Sequence, residues 1–198
     1  MLTYCVDMDD LCDNVAHRLD LLLEIKAKHP AFVATLFTIP LRTSDATIAK
    51  YKEYSWLALA PHGWHHTRGE CLTWTGYEAE AKITEARQRG IDAPIFRAPA
   101  WLINRATYET CRDMGIAVAD HKNSYLHVQG TKVYRYNDPI HRRPKIRTTH
   151  GHLTNCAVDN FIEDMVEEGR LSFATKAEFI FPWEATVELG KEPLESAV

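Results

Sequence analysis

Short β-rich apolar runs alternate with segments of helical periodicity along most of the chain, and this alternation strongly constrains the fold. The strand-like runs are residues 2–6, 31–39, 56–60, 95–96, 116–119, 132–136, 145–149 and 178–181. Strands that are separated by helices favour a parallel sheet with crossover helices. We therefore predict an α/β fold of roughly six or seven βα units, either a closed or nearly closed barrel or an open doubly wound sheet.

Helix-capping residues mark where the predicted helices begin. Thr75 and Glu78 have the capping-box spacing, in which the hydroxyl and the carboxylate each satisfy a free backbone N–H group. Ser44 and Asn104 are predicted N-caps of two other helices, and Gly115 is suited to end the second one. Further helices are predicted after Asp13 or Asn14, and from Asp159 or Asn160 to about Gly169. These signals support the βα alternation.

Composition and charge exclude several function classes. The 198 residues predict one domain that spans residues 1–198. A formal net charge of -4 gives no reason to expect nucleic-acid binding, and no run reaches the roughly 20 apolar residues of a membrane helix. The N-terminus lacks a basic signal segment, and the five cysteines lack a Cys-x-x-Cys pair, which favours reduced thiols. We expect a cytoplasmic protein without a membrane or nucleic-acid partner.

Three polar clusters stand at the ends of strand-like runs. They are Asp7 with Asp9 and Asp10, then His62 with His65 and His66, and finally His150 with His152. The carboxyl ends of parallel strands lie on one face, so we expect these residues to converge in space. Carboxylate and imidazole groups are the ligands of catalytic zinc, which keeps three protein ligands and one open position. The sequence therefore predicts a metal-dependent hydrolase.

Each cluster also has a purely structural interpretation. His62 and His66 can share one face of a helical turn, close around one ion in a loop, or be surface histidines. The aspartates can cap a helix, but three crowded carboxylates repel one another unless a cation or a base neutralises them. His150 and His152 face the same side of an extended segment, where one can serve as a general acid, or one is a core residue and the other a surface residue.

An arginine and several tryptophans accompany the clusters. Arg97 lies two residues before Pro99 at another strand end, where its guanidinium can orient a catalytic carboxylate through a bidentate pair or form a structural salt bridge. Trp64, Trp74 and Trp101 offer flat apolar faces that suit sugar rings, or they belong to the core.

The order and spacing of these residues resemble the polysaccharide deacetylases of carbohydrate esterase family 4. The resemblance rests on an Asp-Asp pair, a His-x-x-x-His motif, an Arg-x-Pro motif and a late strand ending in histidine, from about Val6 to His152. It implies an irregular (β/α)7 barrel. Two positions depart from the family pattern, because Leu11 replaces a Gly that usually follows the Asp pair and Gly63 replaces a Ser or Thr that would brace the loop.

The resemblance also implies a role for each motif residue. Asp9 corresponds to the base, Arg97 to the residue that positions it, and His150 or His152 to the acid. The implied ligands of Zn²⁺ or another divalent transition metal are Asp10, His62 and His66. The implied reaction removes an N-acetyl group, or cleaves a related non-peptide amide, on an amino sugar or polysaccharide.

Two other functions are compatible with the sequence. The segment Val6-Asp7-Met8-Asp9 also resembles the Asp-x-Asp motif of haloacid-dehalogenase-type phosphatases, with Asp7 as nucleophile and Asp9 as acid. We find no convincing late Asp pair for Mg²⁺, and the histidine clusters would have no role in that reaction. A barrel that binds sugars without turnover is the third interpretation, because a fold alone does not determine a function.

Overall fold

The computed structural model describes residues 3–121, 124, 126–136, 146–153 and 178–190. The predicted helix at residues 159–169, Cys156 and the C-terminal tail from Lys191 lie outside these residues. No helix in the described part of the chain is long and apolar enough to cross a membrane.

The described strands form two sheets in which almost all pairs are parallel. The strands are β1 (Thr3–Leu11), β2 (Ala34–Thr38), β3 (Leu57–Pro61), β4 (Ile95–Arg97), β5 (Ala117–His121), β6 (Lys132–Tyr136), β7 (Ile146–His152), β8 (Glu178–Ile180) and β9 (Val187–Glu188). The first sheet has the order β3-β2-β1-β7, and β8 pairs with the beginning of β1. The second sheet has the order β4-β5-β6-β9, in which the short β9 is antiparallel to β6. The predicted α/β class with a parallel sheet is confirmed.

The two sheets meet along two seams. One isolated parallel bridge joins His62, directly after β3, to Arg97 at the end of β4. On the other side β6 contacts β7. Strands β1 to β7 therefore follow one another around a ring whose hydrogen bonding is interrupted. Pro61 and Pro99 lie at the first seam and lack the N–H groups that longer pairing between β3 and β4 needs.

Five helices connect the described strands. They are α1 (Leu19–Lys28), α2 (Asp45–Lys52), α3 (Glu70–Thr73), α4 (Gly76–Gln88) and α5 (Arg105–Asp113). The side chains of Ser44 and Asn104 accept hydrogen bonds from backbone N–H groups of α2 and α5, and the capping box of Thr75 and Glu78 is complete. The capping residues of these three helices were predicted correctly because they act within one turn of backbone.

The predicted cap of the first helix is wrong. A 3-10 turn, Asp13–Arg18, precedes α1, and its N-cap residue is Cys12, whose side chain makes no capping hydrogen bond. The Asp13 carboxylate instead accepts hydrogen bonds from the hydroxyls of Ser44 and Thr47. It therefore stabilises the N-terminus of α2, where a negative charge is favourable.

Three clusters of buried apolar side chains support the strands. The first lies around β1, β2 and β3 and includes Val6, Met8 and Leu36. The other two include Phe96 and Val118 of the second sheet, and Phe37 with Ile95 at the seam. Four free cysteines are buried, namely Cys5, Cys12, Cys71 and Cys111. Burial raises the pKa of Cys111 to about 12, so its thiol is protonated and unreactive at neutral pH.

Candidate metal centre

The carboxylate cluster lies inside β1, which continues to Leu11 instead of ending at Val6 as predicted. In the parallel pairing of β1 with β7, Asp7 is opposite His150 and Asp9 is opposite His152. Alternate residues of a strand face the same side. The pairing therefore gathers these two carboxylates and two imidazoles on one face of the first sheet.

A β-bulge brings Asp10 to the same place. The register between β1 and β2 shifts between Met8 and Leu11, and Asp10 has a φ of 72°. In a regular strand, Asp9 and Asp10 would face opposite sides. The extra residue and the left-handed backbone turn the Asp10 side chain toward the histidines, as bulges beside functional sites often do.

The histidine cluster occupies the loop that follows β3. His62 is only 1% exposed and its backbone N–H donates to the carbonyl of Thr38. Gly63 and His66 both have positive φ angles, 60° and 63°, which fold the loop back on itself. The rings of His62 and His66 lie with centroids 4.8 Å apart, while His65 is exposed to solvent. The loop form of the His-x-x-x-His motif is therefore the one adopted.

Asp10, His62 and His66 form one group of candidate ligands. Oδ1 of Asp10 lies 2.8 Å from Nε2 of His66 and 3.5 Å from Nε2 of His62. The ligand atoms of the three residues all lie within 4.8 Å of one another. One carboxylate oxygen and two imidazole nitrogens are a donor set that zinc and other divalent transition metals accept.

The hydrogen bond behind His62 supports this interpretation. Its Nδ1 is 3.1 Å from the carbonyl oxygen of Arg97, so Nδ1 carries a proton and donates it there. In the neutral ring, Nε2 then presents a lone pair to the carboxylates of Asp9 and Asp10, 3.6 and 3.5 Å away. Acceptors that face one another in this way need a proton or a cation between them. The residues therefore fit a bound metal ion.

The charge state of Asp10 agrees with a ligand role. Burial raises the pKa of this carboxyl, but the neighbouring imidazoles, those of His152 and His66 at hydrogen-bond distance, outweigh burial and hold the pKa well below its usual range. Asp10 is therefore ionised at neutral pH and can bind a cation without first losing a proton.

Arg97 forms a second centre of charge beside the first. Its Nη1 lies 2.5 Å from Oδ1 of Asp7 and 2.6 Å from Oδ1 of Asp9. The guanidinium carbon lies 3.9 Å from the centre of the Phe37 ring and 4.3 Å from that of Trp101, so the group is held flat between two aromatic faces. The predicted bidentate pair is wrong, because Nη1 alone serves both carboxylates.

His150 is held by Asp7. Its Nδ1 lies 2.7 Å from Oδ1 of Asp7, and its Nε2 lies 3.9 Å from Oδ2 of Asp9. Burial raises the pKa of Asp7. The charge of Arg97 and the hydrogen bond from His150 lower it by more than burial raises it, and the resulting pKa is about 2. The ionised Asp7 therefore fixes the ring of His150 and leaves its Nε2 directed toward Asp9.

His152 contacts the other carboxylate. Its Nδ1 lies 3.0 Å from Oδ2 of Asp10, and this hydrogen bond raises the pKa of His152 above its ordinary value. Its side chain is 43% exposed, compared with 13% for His150. The two late histidines therefore differ in partner and in burial, a difference that the sequence did not reveal.

Asp9, His150 and His152 also lie close enough to one another to hold an ion. Arg97 already brings a permanent positive charge to this group, with Nη1 2.6 Å from Asp9 and 3.2 Å from Nδ1 of His150. A second divalent cation beside that guanidinium would meet like-charge repulsion. The group that contains Asp10 is the better candidate for a metal.

The three tryptophans have different surroundings. Trp74 is 6% exposed and packs against Phe96 in the core, so it offers no face to a ligand. Trp64 packs against two of the apolar clusters. Trp101 is partly exposed, covers Arg97 and lies with its ring centroid 5.3 Å from that of His150. The Trp101 ring therefore adjoins the polar groups described above.

Two contributors to the site were not predicted, and a third was predicted only as a member of the carboxylate cluster. Phe37 lies in an apolar strand, and nothing in its sequence context distinguishes it from other core residues. Asp7 was not given a role in the hydrolase interpretation, although its spacing of two from Asp9 places both on one strand face. Glu70, which binds the backbone of the histidine loop, has one weak signal, since it follows His66 by four residues directly after Gly69.

Comparison with known proteins identifies the fold. No protein-family model and no curated protein matches the sequence. A family 4 acetyl xylan esterase from Clostridium thermocellum, solved with a cobalt ion, has a TM-score of 0.61 at 14% identity, covering 92% of this chain and 89% of that one. The chitin deacetylase of Colletotrichum lindemuthianum has a TM-score of 0.60 at 14% identity, covering 98% and 89%.

A third similar structure is a pseudoenzyme of the same carbohydrate esterase family, CE4, from Bacillus anthracis. Its TM-score is 0.56 at 14% identity, with 90% of this chain and 69% of that one covered. At such identities the likeness establishes the fold. The chain therefore has the α/β fold of these carbohydrate esterase family 4 structures, the irregular (β/α)7 arrangement that was predicted.

Proposed function

We propose that this protein is a metal-dependent hydrolase that removes an N-acetyl group from an amino sugar or polysaccharide. The single observation that carries the proposal is that a carboxylate and two imidazoles within 4.8 Å of one another adjoin a second carboxylate held by a buried arginine. The first group suits a divalent ion, and the second suits proton transfer. A metal ion that activates water and a group that transfers protons can together hydrolyse an unactivated amide.

Asp10, His62 and His66 would hold the ion, which we take to be Zn²⁺ or another divalent transition metal. The cobalt-bound acetyl xylan esterase with the same fold supports the metal class. When bound, such an ion supplies a water whose pKa falls from about 15.7 toward about 7, and it polarises a carbonyl oxygen. The hydrogen bond from His62 to the Arg97 carbonyl keeps the ring in the tautomer that a ligand requires.

Asp9 would act as the general base. Its Oδ1 accepts a hydrogen bond from Arg97, which fixes the orientation of the carboxylate. Its Oδ2 lies 3.6 Å from Nε2 of His62 and so faces the proposed ligands. In this position, Asp9 can take the proton of the attacking water as the new carbon–oxygen bond forms.

His150 would act as the general acid. Asp7 holds Nδ1 of its ring, as the buried carboxylate of a catalytic triad holds its histidine, and Nε2 lies 3.9 Å from Oδ2 of Asp9, on the side of the proposed base. Protonated Nε2 can give its proton to the departing nitrogen when the carbon–nitrogen bond breaks. His152, whose Nδ1 contacts Asp10, would instead orient that carboxylate.

A carbohydrate is the proposed substrate class. The structures with the same fold include an acetyl xylan esterase and a chitin deacetylase. Trp101 supports the proposal, because its partly exposed ring lies beside His150 and can stack on a sugar face. The net charge of -4 gives no support for a nucleic-acid substrate.

The two alternative functions receive less support. A phosphatase nucleophile must reach its substrate, whereas Asp7 is 0% exposed and is hydrogen-bonded to Arg97 and His150. A sugar-binding barrel without turnover is favoured by one observation, the pseudoenzyme with the same fold. A direct assay of deacetylation distinguishes an active enzyme from such a sugar-binding barrel.

The decisive experiment measures metal content and deacetylation together on purified protein. We expect one equivalent of divalent metal in the wild type and release of acetate from N-acetylglucosamine oligomers. His62→Ala should lose both, because it removes a ligand at the centre of the group. His65→Ala is the matched control, since it removes an exposed histidine from the same loop and should change neither.

A His62→Ala protein without metal but with full activity would contradict the proposed mechanism. Metal and glycan binding without any acetate release would favour the inactive barrel instead. Magnesium-dependent release of phosphate from a simple ester, abolished by Asp7→Asn, would favour the phosphatase.

A further inference from the structure

The carboxylate of Glu70 accepts hydrogen bonds from the backbone of the loop between His62 and His66. Its Oε1 accepts hydrogen bonds from the backbone N–H groups of Trp64 and His66, each at 3.0 Å, and its Oε2 accepts one from His65 at 3.0 Å. Three successive N–H groups thus converge on one carboxylate. Such a concave set of amides is a binding site for an anion, and here the anion belongs to the chain itself.

The conformation of this loop needs such support. His66 has a φ of 63°, a left-handed conformation that a residue with a Cβ adopts only where its surroundings impose it. The three N–H groups point inward toward Glu70 and not along a helix or a strand. Without an acceptor at their centre, the loop has a reason to relax into an ordinary backbone conformation.

Gly63 is matched to the same carboxylate. A Cβ at this position would lie 2.1 Å from Oε1 of Glu70 and 2.6 Å from Cγ of Pro99. Its φ of 60° also favours glycine. The absence of a side chain next to His62 is therefore what lets the carboxylate of Glu70 reach the loop backbone.

We propose that Glu70 is a positioning residue for the metal ligands. It holds the loop so that the rings of His62 and His66 both face Asp10, with Nε2 of His66 2.8 Å from Oδ1. Glu70 binds backbone N–H groups and acts on the ion only through the two histidines. The inference rests on the proposed metal site, but the arrangement of the loop can be tested without a metal.

The first measurement is hydrogen–deuterium exchange of the metal-free protein at the amides of Trp64, His65 and His66. Glu70→Ala should lose protection at these three positions. Glu70→Gln keeps the volume of the side chain and one acceptor oxygen, so it should lose less protection than Glu70→Ala. It also serves as the test variant should Glu70→Ala not fold. The matched control is Glu78→Ala, which removes a carboxylate that accepts from the backbone of Thr75 in the cap of α4.

The second measurement is a titration of each metal-free variant with Zn²⁺. Loss of a group that orients metal ligands typically weakens affinity by about 10–100-fold, and we expect that range for Glu70→Ala with a smaller loss for Glu70→Gln. Glu78→Ala should bind Zn²⁺ as the wild type does. Unchanged exchange protection in both Glu70 variants, or unchanged Zn²⁺ affinity despite lost protection, would overturn the proposal.

Failure of the metal site itself gives a different result. A wild-type protein that binds no Zn²⁺ overturns the proposed function and with it the positioning role toward a metal. In that case the exchange data still decide whether Glu70 shapes the loop. The two failures are therefore distinguishable.

Discussion

The two halves of the candidate site, one around Arg97 and one around Asp10, balance the charge of their buried carboxylates in different ways. Around Arg97, the carboxylates of Asp7 and Asp9 share one permanent cation that is buried with them. Around Asp10, the neighbours are imidazoles, whose charge depends on a proton or on a bound ion. The first half holds a cation as soon as the chain folds, and the second, in the proposed function, binds its cation from solution. This difference separates the proposed proton-transfer centre from the proposed metal centre.

The halves also differ in how the backbone builds them. The Arg97 half stands on regular parallel strands, since Asp7, Asp9 and His150 occupy consecutive same-face positions of β1 and β7. The Asp10 half depends on irregular backbone, with positive φ angles at Asp10 and His66. The regular strands are held by hydrogen bonds to neighbouring strands, whereas backbone N–H groups of the irregular loop donate to the carboxylate of Glu70. We therefore expect substitutions far from the site to change metal affinity more than they change the arrangement of Arg97, Asp7 and Asp9.

The largest expected effect separates the halves by function. Asp9→Asn keeps an oxygen that accepts from Nη1 of Arg97 but removes the proposed base, so turnover should fall by about 10²–10⁴-fold while metal content stays that of the wild type. Asp10→Asn should instead lower metal content and turnover together. Acetate release and elemental analysis on both variants provide the check. Metal loss in Asp9→Asn with metal retained in Asp10→Asn would reverse the assignment.

The next effect concerns the stability of the Arg97 half. Arg97→Leu leaves two buried carboxylates without their cation, and breaking such a buried pair typically costs about 3–5 kcal/mol. Urea unfolding of the metal-free protein should show this loss. Leucine keeps an apolar side chain between Phe37 and Trp101, so packing accounts for little of it.

Arg105→Leu is a suitable control for the arginine network. Arg105 forms an exposed pair with Glu109 on α5, and such a pair contributes only about 0–1 kcal/mol. If Arg97→Leu lowered the free energy of unfolding no more than Arg105→Leu does, the charge of Arg97 would not be what stabilises Asp7 and Asp9.

Much of the arrangement could be predicted from the sequence because it depends on local rules. Polar clusters at the ends of parallel strands converge whatever the details of packing, and this placed Asp9, His62, Arg97 and His150 together. Caps at Thr75 and the helix starts likewise depend on one turn of backbone.

The remaining features depend on contacts between distant segments. A strand pattern puts Asp9 and Asp10 on opposite faces, and only the bulge against β2 reverses this. The stacking of Phe37 and Trp101 on Arg97 joins three separate elements. The roles of the two late histidines differ because Asp7 holds one and Asp10 the other, which no spacing within β7 could indicate.

The smallest of the effects tests whether His152 belongs to the metal half. Its Nδ1 contacts Asp10, so His152→Ala should weaken Zn²⁺ affinity by about 10–100-fold, as loss of a residue behind a metal ligand usually does. At saturating metal, turnover should stay close to that of the wild type, whereas His150→Ala should lose turnover and retain the metal. A Zn²⁺ titration followed by acetate release at saturation measures both. If His152→Ala abolished turnover with unchanged affinity, His152 would be the acid and the boundary between the halves would lie elsewhere. A wild type that binds two equivalents of Zn²⁺ would remove the boundary altogether, because Asp9, His150 and His152 would then hold an ion despite the neighbouring guanidinium.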